Sequence, residues 1–172
     1  MDIKETLLEE YSKAQVMKIA NYIGDNQALF DEIIQLFNDD DLRVSQRASW
    51  VMSHCCDKYP HLIEPHLGFI INNLPHCKHD AVKRNSMRIL GYIDVPEDLL
   101  GVLADYSFQY LADPKETVAV RCFSMTVCHN ICKREPELNE ELESIIRDHM
   151  PHATAGFKAR GKRILKALAK GK

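Results

Sequence analysis

The chain lacks the Cys-x-x-Cys pairs from which zinc ligands usually converge. Its six cysteines (Cys55, Cys56, Cys77, Cys122, Cys128, Cys132) and eight histidines therefore announce no metal site, although His76-Cys77-Lys78-His79 is dense and Cys128 and Cys132 stand one turn apart beside His129. Glycine is scarce: seven residues scattered singly build neither phosphate-loop pattern nor a Gly-x-Ser-x-Gly nucleophile elbow. The Ser-Ser-x-Met-Pro loop of helical lyases is missing too. No enzyme is expected, with no catalytic residue, cofactor or metal. Strand-like alternation and the Asn-Gly or Asp-Gly signals of tight hairpins are missing. So is a basic region followed by an apolar run at the start, where Met1-Asp2-Ile3-Lys4-Glu5-Thr6 is acidic within a few residues. The longest uncharged apolar-looking stretch, Leu67 to Cys77, falls short of the ~20 residues of a membrane span and contains Asn72, Asn73 and Pro75. These absences predict a cytoplasmic protein with free thiols and no membrane span.

What is present suits one globular domain. A chain of 172 residues buries about two thirds of its unfolded surface, and 45% hydrophobic with 27% charged residues excludes a disordered composition. The net charge of −3 hides a strong polarity. Residues 1–41 carry −7, whereas 154–172 carry +7 with no acid.

The feature that organises the sequence is a repeat. In Asp80–Gly91, Val82, Ser86 and Leu90 share one helical face at four-residue spacing. The same frame holds Val44, Ala48, Met52; Val118, Cys122, Thr126; and Phe157, Gly161, Leu165, with a weaker copy at Gln15, Ile19, Ile23. Successive copies lie 29, 38, 36 and 39 residues apart, the length of a helix pair with its turns. Tyr59-Pro60, Val95-Pro96 and Glu135-Pro136 close the first helices, because proline forces its predecessor out of the α region and fits the opening of the next helix. Second helices follow, with apolar residues at three-and-four spacing such as Leu99, Leu100, Leu103 and Ser107. The pattern predicts helices near 3–11, 13–24, 27–38, 42–57, 61–75, 79–93, 97–112, 116–134, 137–149 and 154–169. They form a single domain over 1–172, with a leading helix in 1–12 and a basic capping helix in 154–172. Trp50 and most other aromatics fall within apolar patterns, as core.

Asp113-Pro114-Lys115-Glu116-Thr117-Val118 and Val82-Lys83-Arg84-Asn85-Ser86-Met87-Arg88-Ile89-Leu90-Gly91 resemble the front and back halves of the HEAT-repeat unit, Asp-Pro-x-x-x-Val-Arg-x-x-Ala-Ala-x-Ala-Leu-Gly. The likeness runs over about 14–170. It departs at the basic residue after the valine, which survives at Lys83; a base recurs two positions later at Lys18, Arg47, Arg121 and Arg160, with Asn85 interrupting the series. The resemblance implies an all-α, right-handed α-α superhelix of four to five HEAT-like helical hairpins. It further implies that second helices line a concave surface and that the work is binding, with no shared activity to transfer.

Two surfaces are candidates. Positions left over from the apolar stripes of the second helices (Asp31, Gln35, Glu64, Asn72, Asp98, Asp105, Gln109) form an acidic and polar ladder. That ladder suits a protein or peptide partner with a basic segment, with Phe69 or Tyr106 as an aromatic anchor. The alternative is nucleic-acid binding, as in DNA-repair-like HEAT proteins, through Lys158, Arg160, Lys162, Arg163 and Lys166 of the basic helix. Of this helix, Phe157, Gly161, Ile164, Leu165 and Leu168 form the inward stripe.

Overall fold

The computed structural model describes residues 1–170, so Gly171 and Lys172, the last two positions of the predicted 154–172 segment, lie outside the described residues. Those described form ten α-helices and no strand, in two compact units, 1–89 and 90–172.

In the first unit most helices open on a side chain that satisfies an otherwise orphaned backbone N–H. Asp2 caps α1 (Ile3–Glu9), Ser12 caps α2 (Lys13–Ile23), Asn26 caps α3 (Gln27–Phe37) and Asp41 caps α4 (Leu42–Lys58). The α2–α3 turn is made at Gly24, whose φ of +53° is strained for any residue carrying a Cβ. Helix α4 packs against both α2 and α3. Val44, Ala48 and Met52 of the repeat frame are fully buried there, with Phe30, Ile33 and Phe37.

The helix expected over 61–75 is broken into three. A 3-10 segment, Pro60–His66, leads into α5 (Leu67–Asn73) and a second 3-10 turn, Leu74–His76. Pro65 and Pro75 explain this, since each removes a donor and its ring clashes with the carbonyl four residues back. The apolar stripe survives the break: Leu62, Ile63, Leu67, Ile70, Ile71 and Leu74 are all buried. Helix α6 (Asp80–Leu90) ends three residues earlier than expected, followed by a turn, and the Ala81 N–H donates to Nδ1 of His79 at its start. Trp50 is only half-buried, edge-on to Tyr11 at 5.7 Å, so the apolar pattern placed it too deep.

The second unit contains α7 (Glu97–Ala112), α8 (Val118–Cys132), α9 (Asn139–His149) and α10 (Ala155–Lys170), with 3-10 turns at Pro136–Leu138 and Met150–His152. Phe108, Leu111, Met125, Cys128, Leu142, Ile146, Phe157, Ile164 and Leu168 make its core. Here the repeat frame slips: Val118, its expected first position, is 44% exposed as the first residue of α8, while Val120 is fully buried. A Cβ on Gly161 would lie 3.0 Å from a methyl of Ile146 and 3.1 Å from the sulfur of Met150, so glycine lets α10 seat against α9.

A polar ladder with the repeat's own period runs through both units. In the first, Arg47 donates to the Leu7 carbonyl (2.6 Å), Asn85 to Ser49 Oγ (2.9 Å) and Arg88 to Ser53 Oγ (2.8 Å), with Arg88 also held by Asp57. In the second, Asn130 donates to the Gly91 carbonyl (2.7 Å), Arg134 to the Val95 carbonyl (2.6 Å), and Arg160 to the Cys122 carbonyl and Thr126 Oγ1 (both 2.9 Å). Every rung reaches back 34 to 40 residues, one repeat. Each is worth about 1 kcal/mol net, and more where the partner would otherwise be buried unpaired.

Candidate partner-binding surface

The acidic ladder divides between the two units. On α3, Asp31 accepts a hydrogen bond from Gln27 Nε2 (2.8 Å) and lies 2.7 Å from His66 Nε2. These bonds, Gln27's foremost, hold its carboxyl below the usual range. Gln27 also donates to the Leu62 carbonyl, and Asp25 meets His61 Nε2 at 2.7 Å, so α3 is clipped to the Pro60–His66 segment. Asp31 is thereby engaged inside its own unit. Gln35, one turn along α3, is exposed, as is Glu64 on the 3-10 segment. Asn72 is exposed but its amide donates to the Gly68 carbonyl (2.8 Å), and Phe69, 42% exposed, sits edge-on to Phe37 at 6.3 Å.

In the second unit Asp98, Asp105 and Gln109 are exposed along α7. Seven- and four-residue spacing puts them on one stripe. Tyr106 stacks on Tyr110, 6.3 Å between centroids and 13° from parallel. Among the described residues Gln35, Glu64, Asp98, Asp105 and Gln109 spend no side chain on a hydrogen bond or ion pair.

The basic helix is less uniform than its sequence. Arg160 is a ladder rung, and its guanidinium also lies 5.3 Å over the Phe123 ring. Lys158 is half-buried; Lys162, Arg163 and Lys166 are exposed.

The thiols are poorly placed for chemistry. Cys55, Cys56, Cys122, Cys128 and Cys132 are buried, and burial pushes all five above the ordinary thiol range, Cys55 up to about 12 and Cys132 to about 11. Among the described residues no three His, Cys, Asp or Glu side chains converge as metal ligands would.

Sequence reasoning missed one apolar cavity. About 320 Å³, it lies between the α6–α7 connection, α7 and the end of α8, walled by Leu90, Val95, Leu100, Leu103, Val127 and Ile131. Periodicity reports that these residues face inward but not that they fail to meet.

A family model described as HEAT repeat domain matches residues 3–168. No curated protein and no solved structure matches the chain.

Proposed function

We propose a function from one premise: the chain belongs to the HEAT repeat domain family. HEAT repeats are generally non-enzymatic helical scaffolds that mediate protein interactions, and no helix among the described residues is long and apolar enough to cross a membrane. On our reading this protein is a cytoplasmic adaptor that holds a protein or peptide carrying a basic segment. It grips along the second helices through Gln35, Glu64, Asn72, Asp98, Asp105 and Gln109, with Asp31 orienting its neighbours. Four to five hairpins wound right-handed, as the repeat predicts, would make that face concave.

One observation carries this reading. Of the bases that recur with the repeat, Arg47 and Arg160 are consumed by the ladder, whereas the carboxylates of Glu64, Asp98 and Asp105 face solvent unpaired among the described residues. Complementary charge across such a face chiefly sets specificity and association rate. The test replaces Glu64, Asp98 and Asp105 together with lysine and compares capture from the native cell extract with wild type. Loss of a partner bearing a basic segment is expected; if every partner stays bound, the acidic face is not the site.

A second reading has its own observation: α10 has no acid, and Lys162, Arg163 and Lys166 stand exposed on it. Nucleic-acid binding there, beside Lys158 and with Arg160 withdrawn, predicts salt-sensitive submicromolar retention in a gel shift. Absence of any shift at low salt removes it.

A further inference from the structure

We infer that the cavity between α7 and the end of α8 is a ligand site, which takes a small monocarboxylic acid by its apolar body and its single negative charge. Leu90, Val95, Leu100, Leu103, Val127 and Ile131 wall a space of about 320 Å³. An apolar cavity of roughly half that volume admits benzene, so this one has room for a ring with a short tail or a medium-length acyl chain. The space is built rather than left over from loose packing. Residues 91–95 lead into α7 without forming a helix, and both ends of that connection are tied to α8: Asn130 donates to the Gly91 carbonyl (2.7 Å) and Arg134 to the Val95 carbonyl (2.6 Å). Arg134 is also paired with Glu97 and lies 3.7 Å from Asp94. The connection stands as an arch fixed at each foot, and Ile93 lines the cavity from it. Collapse onto α8 would have to break these bonds, so the walls stay apart in the folded unit.

The mouth selects the charge. Tyr92, Asp94, Lys133 and Arg134 are the exposed residues of the wall. Arg134 is answered by Glu97 and Asp94. Lys133 meets no carboxylate among the described residues, and its ammonium donates to Asn130 Oδ1 (2.9 Å). One ammonium beside an apolar hollow suits one carboxylate: the acyl or aryl body leaves water for the walls while the head meets Lys133. A phosphate head would bring a second negative charge beside Asp94 and Glu97, where like charges repel.

The probe is octanoate below its micellar concentration, with octanol and octyl phosphate for comparison, and the readout is methyl NMR of the full chain. Octanoate should shift the methyls of Leu103, Val127 and Ile131 and leave those of Ile33 and Val44 in the first unit unmoved. Lys133→Gln should weaken octanoate about fivefold, the worth of one exposed ion pair, and leave octanol unchanged. Octyl phosphate should bind less tightly than octanoate. Val127→Leu and Leu103→Phe each add bulk at the walls, and either variant that keeps its helical circular dichroism should bind octanoate at least about tenfold more weakly. The proposal is overturned if Leu103, Val127 and Ile131 do not shift, or if shifts spread evenly over both units as a detergent would cause. Unchanged octanoate affinity in Lys133→Gln or in the filled variants overturns it as well, and so does tighter binding of octyl phosphate.

Discussion

Asn85 shows how one side chain can serve a repeat at a position where this chain's other repeats carry a base. It is 5% exposed and donates to Ser49 Oγ, itself fully buried and donating to the Gln46 carbonyl. A guanidinium there would be desolvated with no acid to meet it, whereas an amide matches a hydroxyl. Asn85→Leu should therefore cost about 1–3 kcal/mol in urea unfolding, since it strands a buried partner. The carboxylates give a pH signature. Hydrogen bonds to Arg43 hold Asp41 down to about 2, and Lys4 holds Asp39 below its usual range. Folded values below unfolded ones mean stability that is present above about pH 4 and lost as pH falls through the folded value. Asp41→Asn should thus lower the melting temperature at pH 7, with the gap closing near pH 2. Cys77 alone among the cysteines is not buried, so native protein should label there with a thiol reagent while the other five wait for unfolding. Rapid native labelling of Cys55 would contradict the burial described.

At the scale of elements, glycine separates two helix environments. Gly101 lies within α7 with nothing within 4 Å of an added Cβ, so Gly101→Ala should raise stability by about 0.5–1 kcal/mol. Gly161 lies against Ile146 and Met150, and Gly161→Leu should cost more than any helix propensity it gains, through forced repacking of α9 and α10. Thermal melts of the two variants should move in opposite directions. Most helix ends were legible from periodicity and prolines: the pattern predicts starts at 13, 27 and 42, where Ser12, Asn26 and Asp41 prove to be the caps, and Pro60 closes α4. What periodicity could not report was the cost of an internal proline. Pro65 keeps an inward apolar face while changing the helix type beneath it, so 61–75 reads as continuous although it is broken. The Val118 frame failed for a related reason. Spacing is blind to a helix starting two residues later, and the first residue of α8 has no preceding turn to cover it.

For the whole molecule, repetition was the strongest signal, because a helix pair buries its apolar side only by stacking on the next. The candidate surface was legible in part. Spacing alone identified Glu64, Asp98, Asp105 and Gln109 as exposed, but not that Asp31 turns to Gln27 and His66 or that Arg160 turns to α8, since hydrogen bonds one repeat away leave no mark on local pattern. The α7–α8 cavity brings together residues more than thirty positions apart, which no local motif encodes. A repeat array also localises damage. Phe157, 1% exposed in the core of the second unit, should cost about 3–5 kcal/mol when cut to alanine. Hydrogen exchange should then show protection falling first over 108–168, and uniform loss along the chain would argue against repeat-wise energetics.

The rungs that reach back one period have an evolutionary corollary. Losing a single residue from a linker would offset the donors whose acceptors lie across it, whereas duplicating or excising an entire helix pair would preserve each handshake. Such a chain is free to grow or shrink in whole modules and resistant to change in smaller steps.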